Sequence, residues 1–585
     1  MNNFTGSVPS QSLATYDRNS RSPDSVIQII GSGAVGGKAQ GLVFLDHLLS
    51  TSENISKSPQ IQVRIPNLIV LCTDIFDAFL EKNNLARYID SDHSDDQIAH
   101  AFQNAELPFF ILGDLQAIVE QIKTPIAVRS SSLLEDATYE PFAGIYSTKM
   151  IPNHQYDPHL QFQKLSEAIK FVYASTYFKA AKSYRNATGN KQTDEKMAVI
   201  LQKVHGRRHH VRFYPELSGV GRSYNYYPIG RAKPDDGVIN LALGLGKTIV
   251  DGGLVWSYSP RYPKIGPPFG STDDLLKNSQ KEFWAINMGT PLVYDPIKET
   301  EYLVKEDLRT AEKDGTLKHL CSTYDPQSDR LQIGMSIPGP RALTFSPILH
   351  LKDIPLNETV LDILGTCQEK LDSPVEIEFA MTFSPHSLGL LQVRPMVVSS
   401  SNVQVTDEDL NNKNTLAASE NSLGNGVVEN ITDVVYVIPD QFELEGTRKI
   451  SEQLAMINHH LLQEQRPYLL IVFGRLGSSD PWLGIPVNWG QISGTKVIIE
   501  TYLEDFSVDM SQGSHFFHNL TSLGVSYLSI PKSGKYKIDW EWLEEQQEIQ
   551  KTHYVRHVKL KSPLYIKVDG RSSRGSVLKT RGNHD

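Results

Sequence analysis

Residues 375–396, VEIEFAMTFSPHSLGLLQVRPM, constrain the fold more than any other stretch of this chain. Val375, Ile377, Phe379 and Met381 alternate with Glu376, Glu378 and Ala380, the period at which an extended strand shows its side chains to two different surroundings. After the turn Ser384-Pro-His-Ser387, Leu391 and Val393 alternate with Gln392 and Arg394, so the spacing predicts an antiparallel return strand. One face of the hairpin therefore carries two carboxylates beside an amide and a guanidinium.

The stretch Thr124 to Gly144, TPIAVRSSSLLEDATYEPFAG, adds a second constraint. A short apolar strand, Ile126 to Val128, delivers Arg129 into a turn of Ser130, Ser131 and Ser132, with Glu135 and Asp136 able to order the loop. A guanidinium at a strand end clamps a phosphate through two parallel hydrogen bonds. The plainer reading is a surface arginine beside a polar loop. Upstream, Val26, Ile27, Ile29 and Ile30 read as a strand leading into Gly31-Ser-Gly-Ala-Val-Gly-Gly-Lys38 and an amphipathic helix. Residues 65–73 and the following DIFDAFLEKNNL read as strand, turn and helix, and 160–186 as one long helix. A second glycine-rich block, 238–253, has the strand–turn form of a backbone-amide anion site around Gly244 and Gly246; alone it is a weak signal.

Taken in order, these motifs resemble the nucleotide-binding domain of phosphoenolpyruvate synthase and pyruvate phosphate dikinase. The resemblance rests on GGK at 36–38, AVRSS at 127–131, Glu135–Asp136, FAG at 142–144 and Thr148. It continues through AVILQK (198–203), SGVGR (218–222), GLG (244–246), EIEF (376–379) and LQVRP (391–395). It implies an α+β fold, with an ATP-grasp-like nucleotide-binding domain followed by a smaller α/β domain, and ATP and Mg²⁺ as cofactors. Lys38 then binds ATP phosphate, Arg129 clamps the triphosphate, Glu376 and Glu378 serve ribose and metal, and Arg394 completes the phosphate side. Glu378 and Gln392 become the metal ligands, since Mg²⁺ takes a few hard protein oxygens and completes its shell with phosphate. Gly244 and Gly246 fall among the nucleotide-binding positions.

The departures are as specific as the matches. Pro141 replaces a usual Ser, Asn67 a usual turn Gly, and Lys247 stands where GLGE is common. The segment around His205 to Arg212 is also unlike the family and reads as a solvated basic hairpin tip rather than a metal or phosphate site. Complete enzymes of the family phosphorylate a histidine on a swivelling domain and pass the phosphoryl group to pyruvate on a barrel. Only about 185 residues follow position 400, fewer than the roughly 200–250 that a (β/α)₈ barrel needs, so no TIM barrel is expected. His515, ahead of Leu523-Gly524-Val525, has the spacing of the phosphohistidine motif; a packed or helix-capping histidine beside Phe516 and Phe517 is the plainer alternative.

The chain has 585 residues, a net charge of −10 and 40% apolar residues, a soluble composition with no support for nucleic-acid binding. Cys72, Cys321 and Cys367 have no metal-like spacing, and no apolar run approaches the roughly 18 residues of a membrane span, which together predict a cytoplasmic protein. The expected organisation is a disordered tail at 1–25, the ATP-grasp-like domain at 26–400 and a polar linker at 401–426. A C-terminal α/β domain then occupies 427–565, and a basic disordered tail 566–585. In the C-terminal domain YLLIVF (468–473) and TKVIIE (495–500) read as strands and Trp540 to Gln550 as a helix. Its loop at 474–489, with Gly474, Arg475, Ser478, Ser479 and Asp480, reads either as a site for an unassigned anion or as a structural turn.

The leading expectation is a Mg²⁺-dependent, ATP-binding phosphotransferase with Lys38, Arg129, Arg394 and His515 in catalytic roles. Its acceptor is a histidine, pyruvate-like or other small molecule, or a residue supplied by a partner protein. The alternatives are a non-catalytic adenine-nucleotide sensor that controls the C-terminal domain, and a hydrolase or small-molecule dikinase.

Overall fold

Strands that are apolar at nearly every position can be stable only with both faces covered, and the first sheet is built from such strands. Ile27–Ile30, Leu68–Leu71 and Met197–Lys203 send Ile27, Ile29, Leu68, Val70, Ala198 and Ile200 into one core. Their alternate residues Ile30, Ile69, Leu71, Val199 and Leu201 enter a second core on the opposite face. The computed structural model describes residues 13–20, 25–52, 60–88, 92–133, 135, 144–188, 195–225, 228, 231–267, 269, 271–290, 293–396, 403–477, 484–487, 489–501, 525–531 and 534–580.

The first sheet has six strands in the order Ala14–Thr15, Ile27–Ile30, Leu68–Leu71, Met197–Lys203, Ile126–Ser132, Thr148–Ile151. The first three run parallel and the rest pair antiparallel. The pairing of Ala14–Thr15 corrects the expectation of disorder through residue 25. Helices Thr73–Lys82, Asp95–Gln103, Phe109–Gln121 and Pro158–Ser175 cover one face. The predicted helix over 160–186 is two helices, Pro158–Ser175 and Lys179–Thr188, separated by a turn that carries Tyr177 into the core against Phe76.

The second six-stranded sheet has the order Trp256–Tyr258, Val238–Ala242, Leu217–Arg222, Val375–Phe383, His386–Pro395, Gln62–Arg64. Its centre is the predicted hairpin, closed by Ser384 and Pro385. Helix Gly37–Thr51 is wedged between the two sheets, with Leu42 and Leu45 in the core shared by Val70, Ile200, Leu390 and Val393. Gly41 lets the helix lie against the hairpin, because a Cβ there would come within 2.7 Å of the Val393 carbonyl oxygen.

The C-terminal half is a nine-stranded sheet around a parallel centre, in which Asn425–Val437, Tyr468–Phe473, Thr495–Thr501 and Ser526–Ile530 lie side by side. Three expectations fail here. Strands Val555–Asp569 and Arg574–Leu578 extend into the predicted 566–585 tail, and the predicted linker contains strands Thr415–Ser419 and Ser422–Leu423. The two segments complement one another: Thr415–Ser419 pairs with Arg574–Leu578, Asp409 lies 2.8 Å from Lys567 and Asp407 3.0 Å from Arg574. The predicted Trp540–Gln550 helix stops at Glu544, and Gln547–Lys551 instead adds to the Val555–Asp569 strand. Among the described residues the sheets are open, with no closed barrel, and no helix is long and apolar enough to cross a membrane.

Candidate functional site

Arg129 bridges the two N-terminal sheets. It leaves the Ile126–Ser132 strand half-buried and donates to the Gln202 side chain of the neighbouring strand at 3.1 Å. It then crosses to the hairpin, donating to the Leu391 carbonyl at 2.8 Å and to Gln392 Oε1 at 2.9 Å, with Glu378 Oε2 at 3.7 Å. A bulge between Glu378 and Phe379 places Leu391 outside the pairwise register, and this is the carbonyl the arginine meets.

Lys38 enters from the first turn of the wedged helix. Its Nζ donates to Glu135 at 2.7 Å and to Ser130 at 3.1 Å, and both charged groups are buried. Glu135 also accepts from the Ser130 hydroxyl and the Ser132 amide, so this acid orders the serine turn. Asp136, Phe142 and Ala143 lie outside the described residues. The glycine loop ahead of Lys38 is a packing device rather than an open cradle. Asp74 accepts from the amides of Ser32 and Gly33, Thr73 accepts from that of Ala34, and Gly36, at φ +79°, leaves no room for a Cβ beside the Ser131 carbonyl.

These groups share one cavity of about 550 Å³, within the usual range for a small-molecule site. Lys38, Arg129, Glu378, Gln392 and Gly246 line it, together with Gln202, Lys203, His205, Lys247 and Arg475, which the sequence reading did not place there. Among the described residues its carboxylates are Asp251, Glu299 and Glu378, outnumbered by Lys38, Arg129, Lys203, Lys247 and Arg475, and this balance favours a polyanion. Met150, Val204, Leu245, Leu303 and Leu391 supply an apolar wall. Lys247 pairs with Asp251 at 3.1 Å and Glu299 at 3.8 Å. Burial pushes His205 down to about 4, against the opposing hydrogen bond to the Ser387 carbonyl, so the ring enters the cavity neutral.

Glu376 and Arg394 are not among the lining residues, contrary to the expectation from the motif. Arg222, Glu376 and Arg394 stand opposite one another on three adjacent strands, all buried. Arg222 Nε lies 2.5 Å from one Glu376 oxygen and Arg394 donates to the other. Burial alone would raise the Glu376 carboxyl, but the two guanidiniums hold it below the usual carboxylate range. The trio pins the register of the three strands. Gly244 is likewise set apart: at φ +82° it turns against the Trp284 carbonyl. The expected solvated tip at 205–212 is corrected at His205, which is buried and lines the cavity; the hairpin proper is Arg207–His209 and Arg212–Tyr214, with His209 tilted on Tyr214. His515 lies outside the described residues, as do Ser478, Ser479 and Asp480.

The family model for the AMP/ATP-binding domain of pyruvate phosphate dikinase matches residues 32–415. The chain belongs to this family. Lys38, Arg129, Glu378 and Gln392 fall within the matched span, whereas Arg475, Gly477, Pro486 and Val487 of the cavity lining lie beyond it, and the C-terminal sheet, from Thr415 onward, lies almost wholly beyond it. Membership of the dikinase family makes the chain an adenine-nucleotide-binding protein in kind. It also identifies the enzyme class as kinase or dikinase type.

Proposed function

We propose that this dikinase-family protein is an ATP-dependent phosphotransferase whose 26–400 region acts as an ATP-grasp-like nucleotide domain. The carrying observation is the convergence of Lys38, Arg129 and the hairpin pair Glu378 and Gln392, from three separate stretches of sequence, on a single cavity. Phosphoryl transfer asks a protein mainly for positioned charge. Arg129 is held in place by Leu391 and Gln392, which orients its fork for phosphate oxygens without a search through rotamers. Lys38 supplies a desolvated cation at the foot of the same cavity, steadied by Glu135. The apolar wall of Met150, Val204 and Leu391 takes the base and excludes water.

Glu378 and Gln392 offer the hard oxygens on which Mg²⁺ would be held, with nucleotide phosphates completing its shell and the ion neutralising charge between them. The two oxygens now face Arg129, so metal and guanidinium would share them. The acceptor is a histidine, His515 among the candidates, or a small molecule. Incubation with β- and γ-labelled ATP, with and without Mg²⁺, followed by mapping of acid-labile phosphate, tests the assignment. Labelled protein or consumed ATP is expected, and bound but intact nucleotide across a panel of acceptors would overturn the transfer.

The same Lys247 that departs from the family favours a second reading. A cation paired with Asp251 and Glu299 occupies a position where a carboxylate is common, and this suits a site that holds nucleotide without turning it over. An adenine-nucleotide sensor then binds ATP or AMP with no loss of phosphate.

A further inference from the structure

His205 stands where the cavity is otherwise apolar. Met150, Val204 and Leu303 gather around Phe213 and Leu245, and the chain leaving the strand Met197–Lys203 passes Val204 and sets His205 into the same lining. The ring is 6% exposed and rests on the 375–396 hairpin. Its Nε2 lies 2.9 Å from the Ser387 carbonyl oxygen, and a Cβ on Gly389 would come within 2.8 Å of Nδ1. Gly389 pairs with Ala380, and residues opposite one another on adjacent strands share a face of the sheet. Ala380 lines the cavity, so Nδ1 stands on the cavity side of the hairpin. Glycine at 389 is what makes room for the ring there.

The two ring nitrogens have different roles. A backbone carbonyl only accepts, so Nε2 carries the ring proton and donates it to Ser387. Burial lowers the ring to about 4, with the charge of Arg64 acting in the same direction, and near neutral pH no second proton is bound. Nδ1 is therefore an acceptor set among apolar side chains. An acceptor so placed asks a ligand for an N–H or O–H, and it penalises a ligand that brings a second lone pair. His205 also falls in the segment where this chain departs from the family pattern, so its contribution is particular to this chain.

We infer that His205 selects the base of the nucleotide, its Nδ1 accepting a hydrogen bond from the 6-amino group of a purine. The inference rests on the reading of the cavity as an ATP site. A purine with only hydrogen at C6 leaves the Nδ1 lone pair unmet, and a 6-oxo purine sets a carbonyl oxygen against it. Affinity then follows the order 6-amino, unsubstituted, 6-oxo.

Calorimetry with the magnesium complexes of ATP, purine riboside triphosphate and inosine triphosphate tests the order, on the full chain and on His205→Phe and His205→Gln. The unaltered chain should bind ATP about tenfold more tightly than purine riboside triphosphate, and inosine triphosphate more weakly still. His205→Phe keeps a flat ring over Gly389 but has no lone pair, so the three affinities should draw to within about threefold of one another, chiefly through loss of ATP affinity. His205→Gln retains a donor for the Ser387 carbonyl without the ring nitrogen; it should narrow the order likewise and is the readout if the phenylalanine variant fails to fold. Equal binding of ATP and inosine triphosphate by the unaltered chain would overturn the assignment. So would an equal loss for all three ligands in the variants, or an unchanged order, since the ring then only ties the strand to the hairpin; in each case the ATP site stands. Binding of none of the three by the unaltered chain removes the ATP reading itself, and this inference with it.

Discussion

Lys38 shows how a single residue can serve stability and ligand at once. Its partner Glu135 is 1% exposed, so removing the cation strands a buried carboxylate, at a cost of about 3–5 kcal/mol. Lys38→Met should therefore lower both the unfolding midpoint and ATP affinity. Adding Glu135→Gln should restore much of the midpoint in urea unfolding but none of the affinity measured by calorimetry, which separates the two roles. Glu195, close by, makes a pH prediction. Burial pushes its carboxyl up to about 7, against the hydrogen bond with Ser132 and the charge of Arg185. A carboxyl raised above its ordinary 4.5 contributes stability that is full below that pH and is lost as pH rises toward 7. His205 runs the other way: its ring, lowered from 6.5, contributes stability above that pH and loses it as pH falls toward 4. Urea midpoints measured from pH 4.5 to 7.5 should thus fall less steeply with rising pH, or rise more steeply, in Glu195→Gln than in the parent; parallel curves would refute the assignment.

Among the elements, the wedged helix Gly37–Thr51 is the one on which the site depends, and glycines set its distance from both sheets. At Gly36 an added Cβ would fall 1.8 Å from the Ser131 carbonyl oxygen at a φ of +79°. Gly36→Ala should push the helix start away from the Ile126–Ser132 strand, destabilise by about 2 kcal/mol or more and weaken ATP binding with it. Gly365, exposed in the Leu356–Leu371 helix, is the contrasting case, with nothing within 4 Å of its Cβ position. Gly365→Ala should stabilise by about 0.5–1 kcal/mol, read from the urea midpoint, and leave nucleotide binding unchanged. The strand hairpin at 375–396 was legible because its apolar residues alternate at the strand period, although both of its faces are buried. The stop at Glu544 was not, because the strand Gln547–Lys551 exists only through the edge that Val555–Asp569 offers it.

At the scale of the whole molecule, the two halves are not independent. Phe76, Phe79 and Phe102 of the N-terminal helices belong to the same continuous core as Ile450, Leu454, Tyr468 and Val472 of the C-terminal unit. The full chain should accordingly unfold in a single calorimetric transition, and a fragment ending near residue 400 should expose that core and aggregate or melt well below the full chain. Two separate transitions, with a soluble fragment of unchanged midpoint, would show the boundary at 400 to be a true domain limit.

By itself the sequence determined the residues of the cavity that local pattern can carry: Arg129 at its strand end, Lys38 at its helix start, and Glu378 and Gln392 on a hairpin whose alternation fixes which way they face. Tertiary structure decided what those positions do. It enclosed Glu376 and Arg394 with Arg222, a partner more than 150 residues away in the chain, and it brought Lys247 and Arg475 to the same cavity from different halves. It also paired the acidic stretch at 407–409 with the basic strands at 567–574, each of which read alone as irregular chain. The physical reason is common to all of these cases. Periodicity reports which face of an element is buried, whereas the partner of a buried charge or of an open strand edge is chosen only when distant elements pack together.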